Sequence, residues 1–325
     1  QAPWGEGTLP CSTSVPALTC WRPAGQACVE SAMGSPACAN VNIRSQVSGP
    51  RARRCCRSLA RSTDCCDVAL SAVDNATGEI VAEYGGGDYQ QIQINAATQD
   101  IAMAGSTFKP FSLIPFLEGG GSMQDTFDGN SPLMIGDVTV NNNAGISYGP
   151  STLNSAVEYS INTVFAELNE VVGPQNTVDA LVAAGIPEDT PGLEATLLNV
   201  LASASPHNID LTRAYATLAN GGMNPVTGQQ VVTAKTCHYA LAAMVTAGLY
   251  ETSGDWFYEV GLPGKSGIGG GIVTISPGKG GMGTFAPPLD EAGNSVRGQL
   301  ATQFLSRRLG MDLLMSAPAG KGPGG

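Results

Sequence analysis

Ser106 and Lys109 stand three residues apart in the string AGSTFKPF. At helical spacing they lie one above the other on a single turn. A serine hydroxyl needs a base before it attacks anything. A partly buried lysine amine loses its proton and can serve as that base. The chain has only five lysines, so one placed here carries more information than in a lysine-rich protein. A second cluster, Ser160-Ile161-Asn162, offers a hydroxyl that can relay a proton to a leaving nitrogen and an amide that can hold a substrate amide. A third, Lys265-Ser266-Gly267, offers a cation and a hydroxyl for a carboxylate, and a glycine that lets a substrate backbone approach a strand edge. The N–H of Ser106, at a helix start, and the N–H of Ile268 could form a pair of oxyanion donors. Taken singly, each cluster has a plainer reading: an amphipathic helix, a helix cap, a surface turn.

These residues need elements to position them. DVALSAVD alternates, Asn75-Ala76-Thr77-Gly78 turns, and EIVAEYGG returns, which predicts a β-hairpin. A helix is expected from Ser106 to Leu117, stopped by Gly119 to Gly121. Helical patterns follow over 150–157, 163–172, 176–186, 209–219 and 236–249. GKSGIGGGIVTISPG reads as one strand and GMGTFAPPL as its antiparallel neighbour. Asn294 to Leu309 reads as a closing helix with an apolar stripe through Val296, Leu300, Phe304 and Leu305. Strands at both ends with helices between predict one α+β domain over 67–314, its sheet completed by the C-terminal strands. Residues 1–66 are read as an irregular Cys/Arg/Pro-rich segment and 315–325 as a flexible tail.

Net charge is −11 and unevenly spread. Residues 1–66 hold seven Arg against three acidic residues, and the remainder nine basic against 24 acidic. A body that acidic argues against a nucleic-acid partner. Eight of nine cysteines precede residue 67, which suggests disulfides and an oxidising compartment; Cys237 is left over as a small apolar group. No CxxC pair with zinc spacing appears, and no metal or organic cofactor is expected. No run of 18 apolar residues exists, so no membrane span is expected. Asn75-Ala76-Thr77 matches a glycosylation acceptor. With only His207 and His238 present, a Ser-His-Asp triad is disfavoured.

The ordered set Ser106-Thr107-Phe108-Lys109, Ser160-Ile161-Asn162, Lys265-Ser266-Gly267 resembles the serine acyltransferases of the penicillin-binding and β-lactamase superfamily. Residues 67–222 resemble a penicillin-binding transpeptidase domain through VDNATGEIVAEYGGGDY, INAATQDIAMAGSTFKPF, YGPSTLNSAVEYSINTVFAELNEVVG and SPHNIDLTRAYATLANGG. From about residue 218 to 314 the chain is similar to the serine-dependent glutaminases instead, through TLANGGMNPVTGQQVV, GLYETSGDWFYEVGLPGKSGIGGGI and FAPPLDEAGNSVRG. Both families share one fold: an antiparallel sheet flanked by helices, with a helical subdomain. By these resemblances Ser106 is the nucleophile, Lys109 the base, and Ser160 and Asn162 the second catalytic element. Tyr250 lines the site and assists proton transfer, and Ile268 gives an oxyanion N–H.

Two departures accompany the resemblance. Transpeptidases carry a hydroxyl residue where this chain has Ile268, and losing such a contact costs about 1–3 kcal/mol. The polar residues with which glutaminases hold the amino-acid head group come from a middle segment that is transpeptidase-like here. The first expectation is an acyl-enzyme transpeptidase or hydrolase acting on a D-Ala-D-Ala peptidoglycan stem peptide, with β-lactams as covalent ligands and a place in the bacterial cell envelope. The alternative is hydrolysis of L-glutamine to L-glutamate and ammonia, in the cytoplasm. A third is an inactive β-lactam-binding or scaffold protein.

Overall fold

The computed structural model describes residues 20–21, 41–44, 68–86, 90, 93–197, 203–287 and 289–315. Expectations for the N-terminal disulfides and for nearly all of the N-terminal segment and tail lie outside these residues. Two short strands, β1 (Cys20–Trp21) and β2 (Val41–Arg44), fall within the segment read as irregular.

The expected hairpin forms from β3 (Ala69–Asp74) and β4 (Ile80–Tyr84). Its turn is built by Asp74, whose Oδ1 accepts from the N–H groups of Ala76 and Thr77 at 2.9 Å. Asn75 is buried there and donates to Asn220 Oδ1, so the glycosylation triplet has its amide committed inside the fold. After the hairpin the chain enters a short 3-10 turn and helix, and then two small two-stranded sheets. Strands β5 (Thr126–Asp128) and β8 (Pro150–Thr152) pair with each other, as do β6 (Leu133–Ile135) and β7 (Val138–Val140).

Near the C-terminus the sequence pattern resolves differently from expectation. The stretch read as one strand is two, β9 (Gly264–Ser266) and β10 (Gly271–Ser276), joined by a glycine-rich loop. Strand β11 (Gly280–Phe285) then pairs β10 on one side and β3 on the other. The main sheet therefore runs β1-β2-β4-β3-β11-β10-β9, antiparallel apart from the β1–β2 pair. The N-terminal hairpin and C-terminal strands are thus one sheet, as the strand placement predicts.

Eight helices are described: α1 (Lys109–Glu118), α2 (Leu153–Glu158), α3 (Asn162–Val172), α4 (Pro174–Ala184), α5 (Asn208–Ala219), α6 (Ala234–Ala247), α7 (Ser253–Val260) and α8 (Val296–Arg308). Seven lie close to expected spans; α7 was not expected. Alternation on the strands separates two cores. Ile272 and Met282 face α7 and α8 with Leu70, Trp256 and Leu305. Val273 and Ile275 face the helical layer with Phe108, Phe111, Phe165 and Tyr215. α5 lies directly on β11, because Gly281 and Gly283 leave room. A Cβ at Gly281 would sit 2.7 Å from Ala216 N and Thr212 O.

Candidate active site

Ser106 is carried by a 3-10 turn, Gly105–Phe108, that runs straight into α1. The expected α-helix over Ser106 is therefore tighter at its start, and Lys109 begins the α-helix proper. The serine still sits one turn before the lysine, and both side chains are buried. Tyr215 fixes the turn from beneath by donating to Thr107 O at 2.5 Å. The phenol is held firmly as a donor, since full burial raises its pKa well above the usual value.

Ser160 links α2 and α3 in the left-handed backbone region, at φ 49°. A non-glycine residue there costs on the order of 1–3 kcal/mol and persists only when its surroundings impose it. The conformation turns both oxygens of Ser160 the same way. Lys109 Nζ donates to Ser160 O at 2.6 Å, to Ser160 Oγ at 2.8 Å and to Asn162 Oδ1 at 2.8 Å. Ser160 Oγ in turn donates to Ser106 Oγ at 2.8 Å. No direct Lys109–Ser106 hydrogen bond exists among the described residues. Lys109 and Ser106 are instead linked through the Ser160 hydroxyl, where direct contact between the two was expected.

Burial, and then the charge of Lys265, drive the Lys109 pKa well below its usual value. In its neutral form, in which the Ser160–Ser106 hydrogen bond runs the opposite way, Lys109 has two N–H groups for Ser160 O and Asn162 Oδ1. Its lone pair then accepts from Ser160 Oγ–H, which leaves Ser160 to accept from Ser106. Asn162 serves this arrangement rather than a substrate amide: its Oδ1 takes the lysine and its Nδ2 donates to Asn141 O at 3.0 Å.

The next residue, Asn142, is buried and braces the same helix start. Its Oδ1 accepts from Thr163 N at 3.0 Å, while its Nδ2 donates to Gly129 O and Ile146 O at 2.9 Å. Asn141 and Asn142 escape sequence reasoning, because nothing in an Asn-Asn-Asn run says which helix it will cap.

The β9–β10 loop presses on the nucleophile turn. A Cβ at Gly267 would lie 2.7 Å from Ala104 O and 3.5 Å from Ser106 N. A Cβ at Gly105 would lie 3.8 Å from Ile268 N. The N–H groups of Ser106 and Ile268 are thereby neighbours, and Ile268 N donates to nothing among the described residues. Ile268 is 59 % exposed beside them and offers an apolar surface there.

Lys265 and Ser266 depart from their expected role. Both are wholly buried. Lys265 Nζ donates to Ser266 O at 2.9 Å and Gly248 O at 3.3 Å, and lies 4.9 Å from the Tyr250 ring centroid. Burial lowers its pKa to about 7. The Ser266 hydroxyl is buried with no partner. Neither is exposed as a carboxylate site; Lys265 places its charge beside Lys109 and its ammonium against the Tyr250 ring.

Tyr250 is the second strained residue of the site, at φ 55°. Ser253 Oγ donates to Tyr250 O at 2.7 Å and accepts from Leu249 N at 2.9 Å. The phenol is buried with no hydrogen-bond partner of good geometry. Burial pushes its pKa up to about 12, eased by the neighbouring Ser106 hydroxyl and raised by Glu251. His207 and His238 stand apart: His207 Nδ1 lies 2.8 Å from Asp100 O, and His238 packs edge-on to Tyr239.

Ser106, Lys109, Ser160, Asn162, Tyr250, Lys265 and the Gly267–Ile268 loop therefore converge from both halves of the chain.

Comparison with known proteins bears on both halves. Residues 181–314 match the family model described as Glutaminase. That match holds Tyr250, Lys265–Ile268 and Asn294, and it begins well before the expected change near residue 218. Glutaminase 2 of Yersinia pestis is 72% identical over 109 residues, 34% of this chain and 32% of that protein. The chain spans about a third of the length of the curated relatives it matches. Among solved structures, a probable glutaminase, YbaS, aligns at TM-score 0.54 and 26% identity, covering 77% of this chain and 88% of that one. The PonA1 protein of Mycobacterium tuberculosis in complex with penicillin V aligns at TM-score 0.62 and 22% identity, covering 77% and 78%.

The fold is thus the α+β β-lactamase/transpeptidase-like fold shared by glutaminases and penicillin-binding proteins. The expectation of peptidoglycan transpeptidation is overturned. The family match and the high-identity relatives are glutaminases, while likeness to the penicillin-binding structures is distant and reports the fold. Ile268 agrees with this correction, since it puts an exposed hydrocarbon where transpeptidases carry a hydroxyl.

Proposed function

We propose that this domain hydrolyses the side-chain amide of L-glutamine to L-glutamate and ammonia through an acyl-enzyme on Ser106. One observation carries the reading: the segment of glutaminase character, with Tyr250 and Gly267–Ile268, packs against the turn that holds Ser106. In the first half-reaction Ser106 passes its proton through Ser160 to neutral Lys109, and Ser106 Oγ attacks the amide carbon. The N–H groups of Ser106 and Ile268 receive the oxyanion. The proton on Lys109 returns through Ser160, or by way of Tyr250, to the leaving nitrogen, and ammonia departs. The high pKa of Tyr250 suits a group that must arrive protonated. Water then gives a proton through Ser160 to Lys109 and attacks the ester carbon; the tetrahedral intermediate collapses with that proton returned to Ser106 Oγ, which frees the serine hydroxyl and releases glutamate.

Ammonia and glutamate release from L-glutamine, measured by coupled assay, tests the reading. Stoichiometric appearance of both products supports it. A protein that melts cooperatively yet releases neither would remove it.

A further inference from the structure

We propose that Asn294 is a positioning residue that holds Tyr250 in its left-handed backbone conformation beside the nucleophile. The inference rests on the reading of Tyr250 as a proton-transfer group. In the sequence, Asn294 looks like the cap of the last helix, but the structure gives that task to its neighbour. Ser295 Oγ accepts from Gly298 N at 3.0 Å and donates to Ala286 O at 2.7 Å. Asn294 is free for something else, and it is wholly buried.

Its side chain reaches the turn that contains Tyr250. Asn294 Nδ2 donates to Thr252 Oγ1 at 3.0 Å and to Leu249 O at 3.4 Å. Thr252 Oγ1 itself donates to Leu249 O at 2.8 Å, so the three groups close a triangle around Tyr250. The adjoining Gly293, at φ 92°, brings its backbone against the ring: a Cβ there would lie 3.8 Å from Tyr250 Cε2. Lys265 approaches the ring at 4.9 Å.

The loop is itself anchored. Asn294 N donates to Asp290 Oδ1 and Asp290 N to Asn294 O, both at 2.8 Å, and Gln299 Nε2 on α8 donates to Asp290 Oδ2 at 2.8 Å.

Two features separate this from ordinary packing. A bulky residue at positive φ stays there only when its neighbours force it. And Asn294 Oδ1 is buried with no partner. An apolar side chain of the same shape would avoid that unpaired oxygen, so the amide is kept for what Nδ2 does.

A double-mutant cycle on glutamine hydrolysis tests the inference, using Asn294→Leu, Tyr250→Phe and the pair. Asn294→Leu is expected to lower kcat about tenfold with KM little changed, and to add almost nothing in the Tyr250→Phe background. Thr252→Val removes the same acceptor at a partly exposed position and gives the same pattern if Asn294→Leu fails to fold.

A second readout needs no activity. The phenol of Tyr250, followed by absorbance against the Tyr250→Phe protein, is expected to titrate at lower pH in either variant as the ring loosens. Equal losses in both backgrounds, or an unmoved phenol titration, would overturn the positioning role. A fully active Tyr250→Phe protein would instead overturn the reading of Tyr250, leaving the titration to judge Asn294.

Discussion

At the scale of single residues, the chemistry depends on which hydroxyl stands between Lys109 and Ser106. Ser160 occupies that place, and its strained backbone makes the placement possible. The proposed role of Lys109 as base fits its surroundings: burial weakens its hold on a proton, and Lys265 adds repulsion. Replacing the relay leaves both ends of the path intact but disconnected. Ser160→Ala is therefore expected to lower kcat by about 10²-fold or more, with KM for glutamine changed far less. Steady-state kinetics on the purified variant checks this. A Ser160→Ala enzyme with wild-type kcat would mean that Lys109 reaches Ser106 unaided.

Elements matter through how closely two of them touch. The β9–β10 loop lies on the 3-10 turn with no room for a side chain at Gly267, and that contact keeps the backbone of Ile268 close to that of Gly105 and Ser106. Gly267→Ala is expected to push the loop away. It should cost about 1–3 kcal/mol of stability in denaturant unfolding and a larger share of kcat than of KM. Both quantities can be read on one preparation.

The same loop shows where sequence reading stops. Helices with strong apolar periodicity, and the alternating hairpin, were legible because burial repeats at 3.6 or 2 residues. The glycine run after Ser266 has no periodicity, so one strand was expected where two occur. α7 escapes the sequence pattern because SGDWFYEV is short and carries a glycine at its second position. Of the candidate site, Ser106, Lys109 and Ser160 were singled out by type and spacing, and their side chains lie in one hydrogen-bonded chain. The inward turn of Lys265, and the bracing by Asn142 and Asn294, were not, since spacing along a chain does not report what another segment buries.

For the molecule as a whole, the pairing of β3 with β11 matters most. It joins residues near the start of the domain to residues near its end, and so brings the Ser106 turn under the β9–β10 loop. No helix among the described residues is long and apolar enough to cross a membrane. The assembled pocket stores two buried lysines, and that sets a pH dependence of stability. Lys265 binds its proton less tightly folded, at about pH 7, than unfolded, near the usual 10.5. Between those values the unfolded chain carries the extra proton, so stability rises with pH through that window. Cys237, Tyr250 and Tyr215, with raised pKa values, oppose the rise from about pH 9 upward. Urea unfolding from pH 6.5 to 8.5 should therefore show a climbing free energy, flattened in Lys265→Met. A wild-type stability that falls across this interval would contradict the buried pair.

One activated serine, in a site assembled from both halves of the chain, is proposed to carry the glutamyl group. Hydroxylamine tests it most directly, because it intercepts an ester intermediate to give γ-glutamyl hydroxamate. With L-glutamine and hydroxylamine, the wild-type protein is expected to form the hydroxamate at the expense of glutamate, and Ser106→Ala to form none. Glutamate release that hydroxylamine leaves untouched, or hydroxamate that persists in Ser106→Ala, would contradict the account.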